Sequence, residues 1–560
     1  MLTRNIIKTS LSLFVVLFLV STVRAQQSQL GRVEFPTSAS GQAQAHFLRG
    51  VAALHSFWYE EALEEFRAAT RIDPGFAMGY WGEAMAHNHP LWAQQDTEAG
   101  RKTLARLDSK AKVTPREQAF LKAVKALYGE GDKEQRDLAY AKEMEQVYLA
   151  YPDDLEAASF YALSLLGLIR PGDKGFTRQM KAGAIALDVY QKNPYHPGAA
   201  HYVIHAFDDP EHAILALPAA RRYAEIAPEA YHARHMPSHI FIQLGMWPEA
   251  AASNESSWAA SVSWVKRKNL SPNLRDFHSL QWLNYIYLQQ GRYEKAEALL
   301  AVMLEAMAEP GARPARLLWF YPLMAAENIV ETEKWDAVER YFEAPEFKQL
   351  LAATPGRSQE KHTIHPGARG DEGSWIRYNT EAYASFIHGL VAAKRLLGPE
   401  TEKHLYKLRS LRQLYADAGR SYQARWIEIF ELGLAAELDS RQGKHTEAMV
   451  LMERATALEQ EMSPPSGPPD LVKPSHELFG EILMRADRPK EASAQFATAL
   501  VRQPRRARSL LGAARAAAAL GDRKNAAAHY AAFLSVQDQA DERSAEAREA
   551  HDYLAQVAVR

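Results

Sequence analysis

Seven histidines, His196, His201, His205, His212, His232, His235 and His239, fall between Pro194 and Gly245, and no other stretch of the 560 residues holds a comparable cluster. Pro194 and Pro228 are 34 residues apart, and each is followed seven and eleven residues later by a histidine, which pairs His201 with His205 and His235 with His239. Residues four apart share a helix face, so each pair presents two imidazoles in one direction. A 34-residue period is that of helix-turn-helix repeats stacked side by side, with neighbouring helix axes about 8 to 10 Å apart. From that separation all four imidazoles can reach one ion at about 2.0 to 2.1 Å. A sulfur-free imidazole set suits zinc, copper, iron or nickel better than magnesium or calcium, and the sequence does not choose among the four. Four histidines close a tetrahedral site, whereas three leave a position open for Lewis-acid or redox chemistry.

Other residues are placed to support the set. Asp208 falls one turn after His205, where a carboxylate ligates metal or orients an imidazole. His89, in His87-Asn88-His89-Pro90, is a candidate for a second site, against the plainer role of ending a helix. The competing account of the whole cluster is that these are polar groove or packing groups satisfied by carbonyls and carboxylates, a role that duplication of a repeat would also copy. Pro237, inside the second pair, threatens the helix that would align His235 with His239.

The elements that must carry these residues read as helices. Ala, Leu and Glu recur in segments broken by Gly and Pro, and alternating β-branched runs are almost absent, so the fold is expected to be all-α. Phe47, Gly50 and Leu54 fit one helix, and Tyr59, Ala62, Phe66 and Ala69 the next, which stops at Ile72-Asp73-Pro74. Small residues allow close approach of the helices and aromatics fill the gaps between them. This series resembles the tetratricopeptide repeat. It returns with gaps at Gly245, Trp247 and Ala250, at Gly291, Tyr293 and Ala296, at Gly443 and Ala448, at Ala492, Phe496, Ala499 and Pro504, and at Gly521, Ala526, Tyr530 and Phe533. The resemblance implies an irregular tetratricopeptide-like solenoid of helical hairpins, whose first helices line a concave groove that takes a peptide or protein. His201, His205, His235 and His239 then fall on first helices, and His232 and His278, each thirteen residues before a signature Gly, take equivalent first-helix slots.

Arg4, Lys8, the apolar run Leu11 to Val20 and Val23-Arg24-Ala25 read as a secretory signal peptide over residues 1–25, which predicts a periplasmic or secreted protein. No later apolar stretch is long enough to span a bilayer, so no transmembrane segment is expected in the mature chain. A flexible leader (26–42) precedes the N-terminal hairpins with the histidine-rich groove (43–345). Further hairpins (346–462) carry a Gly-rich loop at 354–374 that includes His362 and His365. A Pro-rich linker (463–473) leads to C-terminal repeats and a capping helix (474–560). Thr114-Pro115-Arg116-Glu117 is read as a helix start. Glu327 and Glu331, four apart, are read as a solvated helix face.

A net charge of −2 without a long basic block excludes bulk attraction to nucleic acid. Zero cysteines exclude disulfides and thiolate ligands. Phosphate-cradling Gly-rich motifs and His-Glu-x-x-His are absent, which disfavours a nucleotide enzyme and a conventional zinc peptidase. Three functions remain open: a transition-metal-binding repeat protein with a peptide or protein partner, a metal-free interaction scaffold, and a histidine-ligated metalloenzyme acting on a peptide or small molecule.

Overall fold

The computed structural model describes residues 29–558, apart from residues 40, 109, 171, 172, 174, 311–313, 355–371, 542 and 543. The expected signal peptide, and His362 and His365 of the Gly-rich loop, lie outside the described residues.

Two glycines and one phenylalanine show how a hairpin closes on its neighbour. Phe66, on the helix Tyr59–Ile72, is wholly buried. A Cβ added at Gly50, on the preceding helix Gly41–His55, would lie 2.7 Å from that ring, and one at Gly82, on the following helix Ala77–Met85, would lie 2.3 Å from it. The ring is therefore held between two backbones that only hydrogen can line. Gly480, Phe496 and Gly512 repeat the arrangement at the same sixteen-residue spacing, with clashes of 2.6 and 2.3 Å. Among the described residues the fold is all-α and built of such hairpins, as expected from the sequence, with one two-stranded ladder pairing Asn88–His89 with Gln94–Gln95. No described helix is long and apolar enough to cross a membrane.

Hairpin turns need one residue with positive φ, and Gly245 (+66°), Gly291 (+71°), Gly443 (+80°) and Gly521 (+75°) supply it. At the equivalent place after Gly41–His55 stands Phe57, with φ of +52°. A side chain there is strained by about 1 to 2 kcal/mol.

The chain divides into two compact units. The first comprises residues up to 169, with 177–206 and 218–236. Phe35, Phe47, Trp81, Phe120 and Phe160 build its aromatic core through tilted and edge-on contacts. Thr114 and Glu117 form a capping box at the start of Pro115–Leu127, where a helix start was expected. Asp154 caps Leu155–Leu166 by accepting from the backbone N–H groups of Glu156 and Ala157, which fixes Glu156 on the first turn.

The second unit comprises 170–176, 207–217 and 237–560. Here Glu327 and Glu331 depart from the solvated face expected of them. Both are buried, Glu327 accepting from Gln281 and Asn284, and Glu331 pairing with the wholly buried Arg506. Hydrophobic patterning cannot reveal a helix face made polar by partners from other helices. The Pro-rich stretch 463–473 is packed: Gly467 lies against Trp282, the Pro465 carbonyl accepts from Gln243 Nε2 at 2.8 Å, and Leu471 and Val472 are buried.

Candidate metal centre

His201 and His205 lie one turn apart on the helix Pro197–Ala206, and His232 lies on the short helix Tyr231–His235. One ring nitrogen from each falls within 4.8 Å of the other two. His201 Nε2 and His205 Nε2 are 3.1 Å apart. Two imidazole nitrogens bound tetrahedrally to a single ion are separated by about 3.3 Å, so the pair already has the spacing that shared coordination requires.

The hydrogen bond behind His201 fixes which nitrogen can bind. His201 Nδ1 lies 2.7 Å from the backbone oxygen of His55. That oxygen belongs to the last residue of Gly41–His55, among the terminal carbonyls that lack an intrahelical donor. A carbonyl only accepts, so His201 carries its proton on Nδ1 and turns an Nε2 lone pair toward His205. Burial, reinforced by His205, holds His201 well below the usual histidine range, and the neutral ring is the form that ligates.

An aromatic shell surrounds the three rings. The Phe57 ring lies 4.3 Å from His201 and stacks on His205 and His232 at 5.9 and 5.7 Å between centroids. Trp92 packs 5.9 Å from His232, and Tyr223 stacks on His201 at 5.3 Å. Phe57 and Tyr223 are buried, whereas Trp92 is exposed and His205 partly so, which makes the shell thinnest on that side. Nitrogen donors inside an apolar wall fit a transition metal better than a hard cation.

A second cluster, His55, Glu156 and His196, also has ligand-type atoms within 4.8 Å of one another, all wholly buried. Here the hydrogen bonds point the other way. His196 Nδ1 accepts from the Ala199 backbone N–H at 3.0 Å, so its proton sits on Nε2, which donates to Glu156 Oε1 at 3.2 Å. A protonated nitrogen is no ligand. His55 Nε2 donates to Glu156 Oε2 at 2.7 Å, and its Nδ1 faces the Tyr202 hydroxyl at 2.8 Å. Burial pushes the Glu156 carboxyl up, but the charges and hydrogen bonds of His196 and His55 outweigh it and hold the group well below the usual carboxylate range. The cluster is satisfied as a clamp.

The remaining sequence candidates are placed as follows. His235 is buried in the first unit, 5.6 Å ring to ring from His232. Pro237 ends its helix: Tyr231–His235 and Pro237–Gln243 are separate, although Met236 between them keeps helical angles. In the second unit His239 Nδ1 lies 2.6 Å from Asp208 Oδ2, and the Asp208 carboxyl is driven well above its ordinary range by burial. His239 and His278 both pack against Trp282, at 4.2 and 5.6 Å. His89 stacks on Tyr59 at 3.8 Å and is pushed down to about 4 by burial. His212 hydrogen-bonds Asp209 three residues before it, a local turn contact.

Residues 43–76 match the family model described as Tetratricopeptide repeat. This segment is a tetratricopeptide repeat. The matched repeat spans the hairpin Gly41–His55 and Tyr59–Ile72, whose turn supplies both the His55 carbonyl and Phe57. No curated protein is significantly similar to this chain. Among solved structures, the human IFIT1 dimer with m7Gppp-AAAA is similar at 13% identity, over 91% of this chain and 92% of its own, with a TM-score of 0.31. The P58(IPK) TPR domain is similar at 16% identity, over 73% of this chain and 100% of its own, with a TM-score of 0.22. Naa15/Naa10 bound to HypK is similar at 11% identity, over 92% of this chain and 74% of its own, with a TM-score of 0.23. At such scores the likenesses carry no weight for function.

Proposed function

We propose that this tetratricopeptide-repeat protein is exported and binds a transition metal through His201, His205 and His232, with a peptide or protein as its further partner. The observation that carries the reading is the bond from His201 Nδ1 to the His55 carbonyl. It commits the Nε2 lone pair to the point where the His205 and His232 nitrogens gather. Three nitrogen donors leave a coordination position for a further ligand, a water, or a substrate atom. The 34-residue spacing offers His235, on the helix that carries His232, as a candidate for that position. Zinc, copper, iron and nickel all suit the donor set.

A second reading has a specific observation in its favour. The 3.1 Å separation also suits a hydrogen bond from His205 Nε2–H to the His201 Nε2 lone pair. The centre is then a packing group within a metal-free interaction scaffold. Elemental analysis of untagged mature protein, before and after loading with each of the four metals, separates the two. One ion per chain, lost in a His201→Ala, His205→Ala double variant, supports the metal reading. Metal below stoichiometry under every loading condition leaves the scaffold.

A further inference from the structure

Glu156 stands behind the three-histidine centre and reaches it by two routes. Both of its oxygens are used, Oε2 by His55 Nε2 at 2.7 Å and Oε1 by His196 Nε2 at 3.2 Å. Along the first route, His55 is the last residue of Gly41–His55, and its own backbone oxygen receives the His201 Nδ1 proton. Its ring is fixed on the other side by the Tyr202 hydroxyl. Along the second route, His196 immediately precedes Pro197–Ala206 and caps it through the Ala199 N–H, which anchors the helix that carries His201 and His205. Gly198 brings the routes together. A Cβ there would lie 2.4 Å from His55 Nδ1, so the ring rests directly on the first turn of the ligand-bearing helix.

We infer that Glu156 is a positioning residue for the centre, holding the His55 carbonyl and the helix Pro197–Ala206 in register so that the His201 and His205 nitrogens meet. This rests on the metal reading above. Glu156 is not itself a ligand, because both of its oxygens accept from imidazole N–H groups. Outer partners of this kind typically change metal affinity about 10- to 100-fold when removed.

The test uses the full chain and Co²⁺ as the probe, followed by its visible d–d absorption and by competition titration. Glu156→Ala removes both acceptors and so releases His55 and His196, whereas Glu156→Gln still accepts from His196 and donates to His55, whose tautomer then reverses against the rotatable Tyr202 hydroxyl. Tyr202→Phe loosens the His55 ring alone and keeps the fold within reach if Glu156→Ala does not fold. The expected result is unchanged far-UV circular dichroism, an affinity lowered about tenfold or more by Glu156→Ala, a smaller loss for Tyr202→Phe, a shifted d–d band in these two, and an affinity close to wild type in Glu156→Gln. Wild-type binding with Glu156→Ala and Tyr202→Phe both matching it in affinity and spectrum overturns this inference alone. Two ions per chain overturn it as well, since Glu156 would then be a ligand. Failure of the wild type to bind Co²⁺ overturns the metal reading, and the positioning role falls with it.

Discussion

His201 Nδ1 donates to the backbone oxygen of His55 at 2.7 Å, joining the turn of the first hairpin to a helix 146 residues further along the chain. One bond satisfies a terminal helix carbonyl and chooses the tautomer of the central imidazole.

The metal-free protein should feel the loss of that bond. His201→Ala leaves a buried carbonyl without its donor and opens a cavity, costing about 2 to 4 kcal/mol. His205 is partly exposed, so His205→Ala should cost only about 1 kcal/mol. Urea unfolding in the presence of a chelator checks the order. Equal losses would mean that the His55 bond adds no stability.

Phe57 offers a sharper test, because its backbone and its ring pull in opposite directions. Removing the buried ring costs about 3 to 5 kcal/mol, more than the strain its φ of +52° imposes. Both Phe57→Ala and Phe57→Gly should therefore destabilise. Only glycine relieves the strain, so the glycine variant should be more stable than the alanine variant by about 1 kcal/mol, the reverse of the usual order. Chemical denaturation of the pair reads the difference directly.

Packing of the repeat is tested at the glycines. Gly82→Ala places a methyl 2.3 Å from the Phe66 ring and should cost about 1 to 3 kcal/mol. Gly398→Ala, with nothing within 4 Å of its new Cβ and an ordinary φ, should be neutral or slightly stabilising. A lower melting temperature in the first variant only is the expected outcome.

Acid should weaken the metal-free fold. Burial holds His89, His388 and His404 below the ordinary histidine value, His89 at about 4. Each binds a proton more readily when unfolded, so the stabilisation is complete above pH of about 6.5 and declines below it. For His89 the decline continues to a pH of about 4. Urea midpoints measured at half-unit intervals should fall over this window, and a flat profile would contradict the depressed values.

The sequence made the hairpins legible because their signature is local: Gly50, Phe66 and their equivalents pack by rules that act over a few tens of residues. His201 and His205 were readable for the same reason, being one turn apart on one helix. His232 was visible only as a supporting residue, since the proline spacing picks out His235 instead, and its place beside His201 depends on tertiary packing. The clamp of His55, Glu156 and His196 was missed because its members lie 101 and 40 residues apart, beyond any periodic pattern. Phe57 did leave a signal: it occupies the turn position that Gly245, Gly291, Gly443 and Gly521 fill in other hairpins. A bulky residue in a slot that favours glycine marks a place where the backbone accepts strain and function is worth seeking.

Metal content of the untagged protein, measured by elemental analysis beside the His201→Ala, His205→Ala double variant, tests the central claim most directly. The account predicts one transition-metal ion per wild-type chain and none in the variant. Wild-type protein that stays metal-free after loading with zinc, copper, iron and nickel, or a variant that keeps its ion, would contradict it.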